Sequence, residues 1–105
     1  MDSYRVEIDN RAKREIRTLP GHMRQRVIRL IRDLETQPRP PASRQLDVSK
    51  AGLVLEPGMT LHRITVETWR VVYLIEEEWR MITVLAVRKR PPYQYSDLSE
   101  LLTDG

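Results

Sequence analysis

Cysteine is absent from this sequence of 105 residues, as is any long apolar run. Without thiols the chain can form neither disulfide bonds nor thiolate metal sites, which favours a reducing compartment. The longest nearly apolar run, MITVLAV, is far shorter than the ~20 residues of a membrane-spanning helix. The first residues, MDSYRVEI, also lack the apolar core of an export signal. We therefore expect one domain in the cytoplasm that makes no contact with a membrane.

Lysine is scarce as well. The chain has 18 basic and 15 acidic residues, and most of the basic residues are arginine. The planar guanidinium can bind phosphate oxygens through two hydrogen bonds, whereas an ammonium acts as a point charge. The net charge of +3 is nevertheless modest. Charge alone therefore leaves nucleic-acid binding and an ordinary arginine-rich surface about equally open.

The first part of the chain has the periodicity of one strand followed by two helices. Residues 3–8 alternate between apolar and charged side chains, which predicts a half-buried strand, and Asp9 suits a helix N-cap. Apolar residues then recur at helical spacing up to Pro20-Gly21, which breaks the helix. A second apolar stripe starts near His22 and ends before the PRPP segment at 38–41. The pattern predicts two helices joined by a tight turn.

The second part of the chain is dominated by strand signals. Residues 42–60 indicate an irregular connection with room for a short strand, and three strands are predicted at 61–66, 69–75 and 81–87. Three glutamates form a turn between the last two strands, and a short helix is predicted at 96–102 with Ser96 as its cap. The order β-α-α-β-β-β-α predicts an α+β fold in which an antiparallel meander packs against an N-terminal αα-hairpin.

Cations are placed where the ends of these strands are expected to meet. In a meander, the start of the second strand lies beside the end of the third, so Arg70 should lie beside the run of residues 88–90. That run consists of Arg88, Lys89 and Arg90, and Arg63 on the first strand of the meander is expected to reach the same rim.

Guanidinium groups that gather in this way repel one another unless acids or a polyanion compensate them. The acids near this rim in the sequence, Glu67 and Asp97, are too few to neutralise it. Tyr93 and Tyr95 follow the stiff pair Pro91-Pro92 and supply aromatic rings. The combination predicts a rim that binds phosphates and offers aromatic rings on which bases stack.

The sequence resembles the RelE/ParE superfamily of toxins from bacterial and archaeal toxin–antitoxin systems. The resemblance spans residues 4–95 and is carried by YRVEID, AKREIRTLP, VIRLIRDLETQPRP, WRVVYLIEEE and VLAVRKR, with tyrosine soon after. It implies a small basic toxin that is neutralised by a cognate antitoxin in a hetero-oligomeric complex.

The RelE branch implies cleavage of mRNA on the ribosome without a metal or other cofactor, leaving a 2′,3′-cyclic phosphate. By resemblance, Arg70 stabilises the transition-state charge, Arg90 supports the leaving group, and Tyr93 or Tyr95 stacks on a base or helps proton transfer. Arg63 falls where the family often has lysine and acts as a phosphate clamp or hydroxyl activator, while Arg88 and Lys89 bind RNA.

Two other functions stay open at this stage. ParE-type members share the fold and inhibit DNA gyrase by protein–protein contact, and an attenuated member would only bind an antitoxin. Roles outside catalysis and RNA binding also remain open for several residues. His62 is expected on the face of the sheet opposite Arg63. Trp69 and Tyr73 are expected to serve in packing. Trp79 is expected at an exposed turn, as an anchor for the antitoxin.

Overall fold

The computed structural model describes residues 3–89 of the chain. Its elements, in chain order, are β1 (Arg5–Ile8), α1 (Asn10–Arg17), α2 (Gly21–Asp33), β2 (Ser43–Gln45), a 3₁₀ turn (Val48–Ala51), β3 (Met59–Val66), β4 (Trp69–Glu76) and β5 (Met81–Lys89). This order confirms the predicted α+β class. The helix predicted at 96–102 lies outside the described residues.

The two helices begin and end where the sequence indicates. The Asp9 side chain accepts a hydrogen bond from the Arg11 backbone N–H at 3.1 Å, which caps the first turn of α1. Pro20 then stands at the N-cap of α2, where its missing N–H costs nothing. Neither helix is long and apolar enough to cross a membrane, within residues 3–89.

The sheet has five strands in the order β1-β5-β4-β3-β2. Strands β3, β4 and β5 form the predicted antiparallel meander, and the short strand β2 pairs with β3 at one edge. Strand β1 pairs in parallel with β5 at the other edge, which makes the sheet mixed. The sequence pattern predicted β1 but did not predict its partner.

Both faces of the sheet are covered, but unequally. The main core lies between the helices and one face, and it includes Met23, Val27, Ile31, Val71 and Tyr73. A smaller apolar cluster on the opposite face is covered by the connection between β2 and β3. Its members are Leu46, Val48, Leu53, Leu55, Leu61, Val72, Leu74, Leu85 and Ala86. Among residues 3–89, the rest of that second face carries polar side chains, which include Arg63 and Thr65.

Candidate nucleic-acid interface

Three arginines meet at one end of the sheet, on the face turned away from the helices. Arg70 on β4 is the register partner of Arg88 on β5 and of Thr65 on β3. Side chains directly opposite one another on antiparallel strands share a face and lie close together. Arg63 joins the group because its Nη1 donates to Thr65 Oγ1 at 3.1 Å. We call Arg63, Arg70 and Arg88 the arginine patch.

Strand alternation explains why the patch lies on this face. On β3 the buried residues Ile64 and Val66 belong to the core beneath the helices, as Val71 does on β4. Their neighbours in sequence must then point to the opposite face. Arg63 and Arg70 are both half-buried, and the Nε atom of Arg70 is fully buried. The patch is therefore partly shielded from water, which strengthens its interaction with an anion.

A glutamate that the sequence reasoning missed holds Arg88 in place. Arg88 Nε donates to Glu15 Oε2 at 2.7 Å, and the Val87 backbone N–H donates to Glu15 Oε1 at 3.0 Å. Strand β1 pairs with Met81–Val84, and no other strand among residues 3–89 pairs with the rest of this edge of β5. Helix α1 follows β1 directly and brings Glu15 to that edge. The one signal in the sequence is that Glu15 is the only acid within α1.

The acids that sequence proximity suggested play other parts. Glu67 pairs with Arg26 on α2, with Arg26 Nη1 at 2.7 Å from Glu67 Oε2. Glu76, six residues after Arg70 on the same strand and so a further candidate partner for it, lies at the far end of β4, where it is the register partner of Met81. Asp97 lies outside the described residues. The carboxylate that pairs with Arg88 comes instead from helix α1.

The other predicted site residues divide into two groups. Lys89 is exposed and is the register partner of Trp69, whose ring packs against the core beneath the helices. Alternation thus puts Lys89 on the opposite face from Arg88. Arg90, Tyr93 and Tyr95 lie outside the described residues, so their roles stay predictions.

His62 and Tyr73 lie beneath the helices, as expected, and away from the patch. Their rings stack with centroids 5.4 Å apart, and the Tyr73 hydroxyl donates to the Pro38 carbonyl at 2.8 Å. Burial lowers the pKa of His62 to about 4, and the positive charge of Arg39 adds to the shift. His62 is therefore neutral at physiological pH and serves as a packing residue.

The opposite end of the sheet carries a glutamate that is held by two donors. Glu77, in the turn between β4 and β5, accepts hydrogen bonds from Tyr4 at 2.8 Å and from Arg39 at 2.6 Å. These two donors hold the pKa of Glu77 below its ordinary value. Trp79 in the same turn is 72% exposed, which agrees with its expected position at an exposed turn. This turn and the arginine patch lie at opposite ends of β4.

The patch can stabilise negative charge but is poorly suited to move protons. A guanidinium stays protonated in proteins, so it donates hydrogen bonds and does not act as a base at neutral pH. Two or three guanidiniums on one face match the oxygens of a phosphate group, especially a phosphorane that carries an additional negative charge. Proton transfer would require other groups, either from the chain or from the substrate complex.

Three solved structures share the fold. An archaeal RelE–RelB complex from Pyrococcus horikoshii has a TM-score of 0.73 at 21% identity, with 87% of this chain and 99% of that chain covered. The RelBE2 toxin–antitoxin complex from Mycobacterium tuberculosis has a TM-score of 0.64 at 22% identity, covering 84% and 99%. The isolated RelE toxin from E. coli has a TM-score of 0.62 at 22% identity, covering 95% and 99%.

Comparison by sequence alone finds no match: no protein-family model matches the chain, and no curated protein matches it. The structural similarity extends over at least 84% of the chain in each of the three comparisons. It also covers almost the whole of each matched toxin. This protein therefore has the fold of the RelE toxins.

Proposed function

We propose that this protein is the toxin of a type II toxin–antitoxin system and that it cleaves mRNA on the ribosome without a metal ion or other cofactor. The observation that carries the proposal is the register of Arg70 with Arg88, with Arg63 joined to them through Thr65. Glu15 offsets the charge of Arg88, and guanidinium groups gathered on one face of a sheet match the oxygens of a phosphate group. The RelE fold supports the same assignment.

The proposed reaction is a transesterification within the RNA strand. The 2′-hydroxyl oxygen bonds to the adjacent phosphorus, and the bond between that phosphorus and the 5′ oxygen breaks. The 2′-hydroxyl loses its proton and the 5′ oxygen gains one, which leaves a 2′,3′-cyclic phosphate and a 5′-hydroxyl. Arg70 stabilises the additional charge on the phosphorane, and Arg63 holds a phosphate oxygen and orients the hydroxyl.

The remaining residues support the strand on either side of the reacting phosphate. Arg88 uses Nε to bind Glu15, which leaves its terminal nitrogens for an RNA phosphate. Lys89 lies on the opposite face from Arg88, and we propose that it adds positive charge at the end of β5, where the RNA strand passes. Arg90 stabilises the charge that develops on the leaving 5′ oxygen, and Tyr93 or Tyr95 stacks on a base or assists a proton transfer.

The proposed partners are the ribosome, its mRNA and a cognate antitoxin. Two of the matched structures are complexes of a RelE toxin with its antitoxin. Trp79 is exposed and large, as residues that dominate protein interfaces are, and we propose it as one contact for the antitoxin. The antitoxin gene is expected next to the gene for this chain.

Mapping of transcript ends after expression of this chain in bacteria tests the proposal. We expect growth arrest and new 5′-hydroxyl ends within translated codons. Arg70→Ala should lose both effects, while Arg29→Ala, which removes an exposed charge from helix α2, should keep them. Co-expression of the neighbouring antitoxin should restore growth.

Two results would overturn the proposed nuclease activity. Intact mRNA together with an induced DNA-damage response would favour a gyrase inhibitor that acts by protein–protein contact. Intact mRNA with normal growth would favour a chain that only binds an antitoxin.

A further inference from the structure

A fourth arginine lies next to the arginine patch, on a strand that the sequence pattern did not resolve. Arg44 on the edge strand β2 is the register partner of Arg63 on β3. The two strands are antiparallel, so the two side chains are directly opposite and share the face turned away from the helices. The sheet therefore carries two opposed arginine pairs on one face, Arg44 with Arg63 and Arg70 with Arg88.

No carboxylate of the described part of the chain explains the first of these pairs. Within residues 3–89, neither Arg44 nor Arg63 forms an ion pair, and the hydrogen bond that Arg63 makes goes to the neutral Thr65. Arg44 is exposed. Like charges directly opposite each other cost stability, so this pair is better explained by a ligand than by folding.

The four arginines form a diagonal row across the sheet. Each of the neighbouring strands β2, β3, β4 and β5 contributes one of them. Adjacent strands lie about 4.8 Å apart and the two pairs are offset by two residues along the strands, so the row spans about 16 Å. That distance is wider than a single phosphate group, and it fits consecutive phosphates of one extended strand.

We propose that Arg44 binds the phosphate next to the one held by Arg63 and Arg70, so that single-stranded RNA crosses the sheet diagonally from β5 to the edge strand β2. The proposal rests on the proposed function and adds the path of the substrate. Contacts to phosphates position a strand and carry no sequence information. Arg44 therefore contributes affinity and leaves the choice of cleavage site unchanged.

Two assays on the purified full chain test this path. The first measures binding of a fluorescently labelled single-stranded RNA of 12 nucleotides at a series of NaCl concentrations. The second measures cleavage of an mRNA on ribosomes. One phosphate contact to a single strand changes the salt slope by about 0.7, which corresponds to about fivefold in affinity at 0.1 M salt. Arg44→Ala should show these losses and unchanged cleavage positions.

Thermal unfolding separates a binding role from a structural one. Arg44→Ala removes one of two opposed cations, so its Tm should equal or exceed that of the wild type. Arg44→Glu places a carboxylate opposite Arg63, so it should raise Tm further and weaken RNA binding more strongly. A fall in Tm for Arg44→Ala would indicate a structural residue and would overturn the proposal.

Matched variants distinguish failure of this proposal from failure of the proposed function. Arg29→Ala, on the other side of the molecule, should leave the salt slope and cleavage unchanged. In one outcome, Arg63→Ala weakens binding while Arg44→Ala behaves like Arg29→Ala in both assays. That result would show that the proposed diagonal path is wrong and would leave the proposed nuclease activity unaffected. A wild-type chain that neither binds this RNA nor cleaves mRNA on ribosomes would overturn both.

Discussion

Glu15 Oε2 lies 2.7 Å from Arg88 Nε, although the two residues are 73 positions apart in the sequence. The same carboxylate accepts a hydrogen bond from the buried backbone N–H of Val87. Helix α1 is thereby attached to the edge of β5 at the point where the arginine patch begins. One side chain stabilises the fold and also reduces the positive charge of the candidate site.

Replacing Glu15 should separate these two effects. Glu15→Ala leaves the Val87 N–H without its acceptor and should lower the free energy of unfolding by about 1–3 kcal/mol. Glu15→Gln keeps an acceptor oxygen and should cost less, while the loss of negative charge should raise the affinity for RNA. Urea denaturation and RNA binding measure the two effects. Glu35→Ala removes an exposed carboxylate elsewhere and is the control for net charge. An equal effect of the three variants on stability would show that the bonds from Glu15 to Val87 and Arg88 do not stabilise the fold.

Substitution of Arg70 should test whether its planar group matters beyond its charge. Removal of one oriented donor from a transition-state site typically lowers the rate by about 10²–10³. We expect a loss of this size in mRNA cleavage for Arg70→Ala and a smaller loss for Arg70→Lys, since lysine keeps the charge without the second hydrogen bond. Circular dichroism should show that both variants are folded. Wild-type cleavage rates in a folded Arg70→Ala protein would remove Arg70 from the mechanism.

The two tyrosine hydroxyls that bond to distant residues should differ in their contribution to stability. Tyr73 is fully buried and donates to the Pro38 carbonyl, which anchors the segment after α2 to the sheet. Tyr73→Phe should therefore cost about 1 kcal/mol of unfolding free energy. Tyr4 donates to Glu77 at an exposed position, where water can replace the bond, so Tyr4→Phe should cost less than about 0.5 kcal/mol. Chemical denaturation of both variants is the measurement, and a larger loss for Tyr4→Phe would contradict this ranking.

His62 should make the stability of the protein fall as the pH drops below neutrality. Its pKa is about 4 in the folded chain, against an ordinary value of 6.5. Between these values the unfolded chain binds a proton that the folded chain does not, so the stability is fully present above pH 6.5. It should decrease by about 2 kcal/mol between pH 7.5 and pH 5.

Comparison of two histidine variants would isolate this effect. His62→Gln removes the titrating group and should flatten the dependence of the unfolding free energy on pH between 7.5 and 5. His22→Gln changes an exposed histidine on α2 and should leave the dependence as it is. The range ends at pH 5 because Glu77, whose pKa is lowered, loses its stabilising charge only below its ordinary value of 4.5. An unchanged slope in His62→Gln would show that His62 does not cause the loss.

Much of the architecture was predictable because it follows from local patterns. The cap at Asp9, the break at Pro20 and the β3–β4–β5 meander all depend on residues that are close in the chain. The neighbourhood of Arg70 and Arg88 follows from the meander itself, since a hairpin brings the start of one strand beside the end of the next. The positions of His62 and Trp79 were likewise set by alternation and by a turn.

The composition and periodicity of the chain thus determined its helices, its meander and the strands that carry arginine. Tertiary structure alone decided which residues complete the site. Glu15 reaches Arg88 only because β1 pairs with β5, which places helix α1 beside that strand. Arg44 lies opposite Arg63 only because the three-residue strand β2 pairs with β3. Both pairings join segments that are distant in sequence. Such contacts depend on how the packed sheet and helices fit together, and no local pattern encodes that fit.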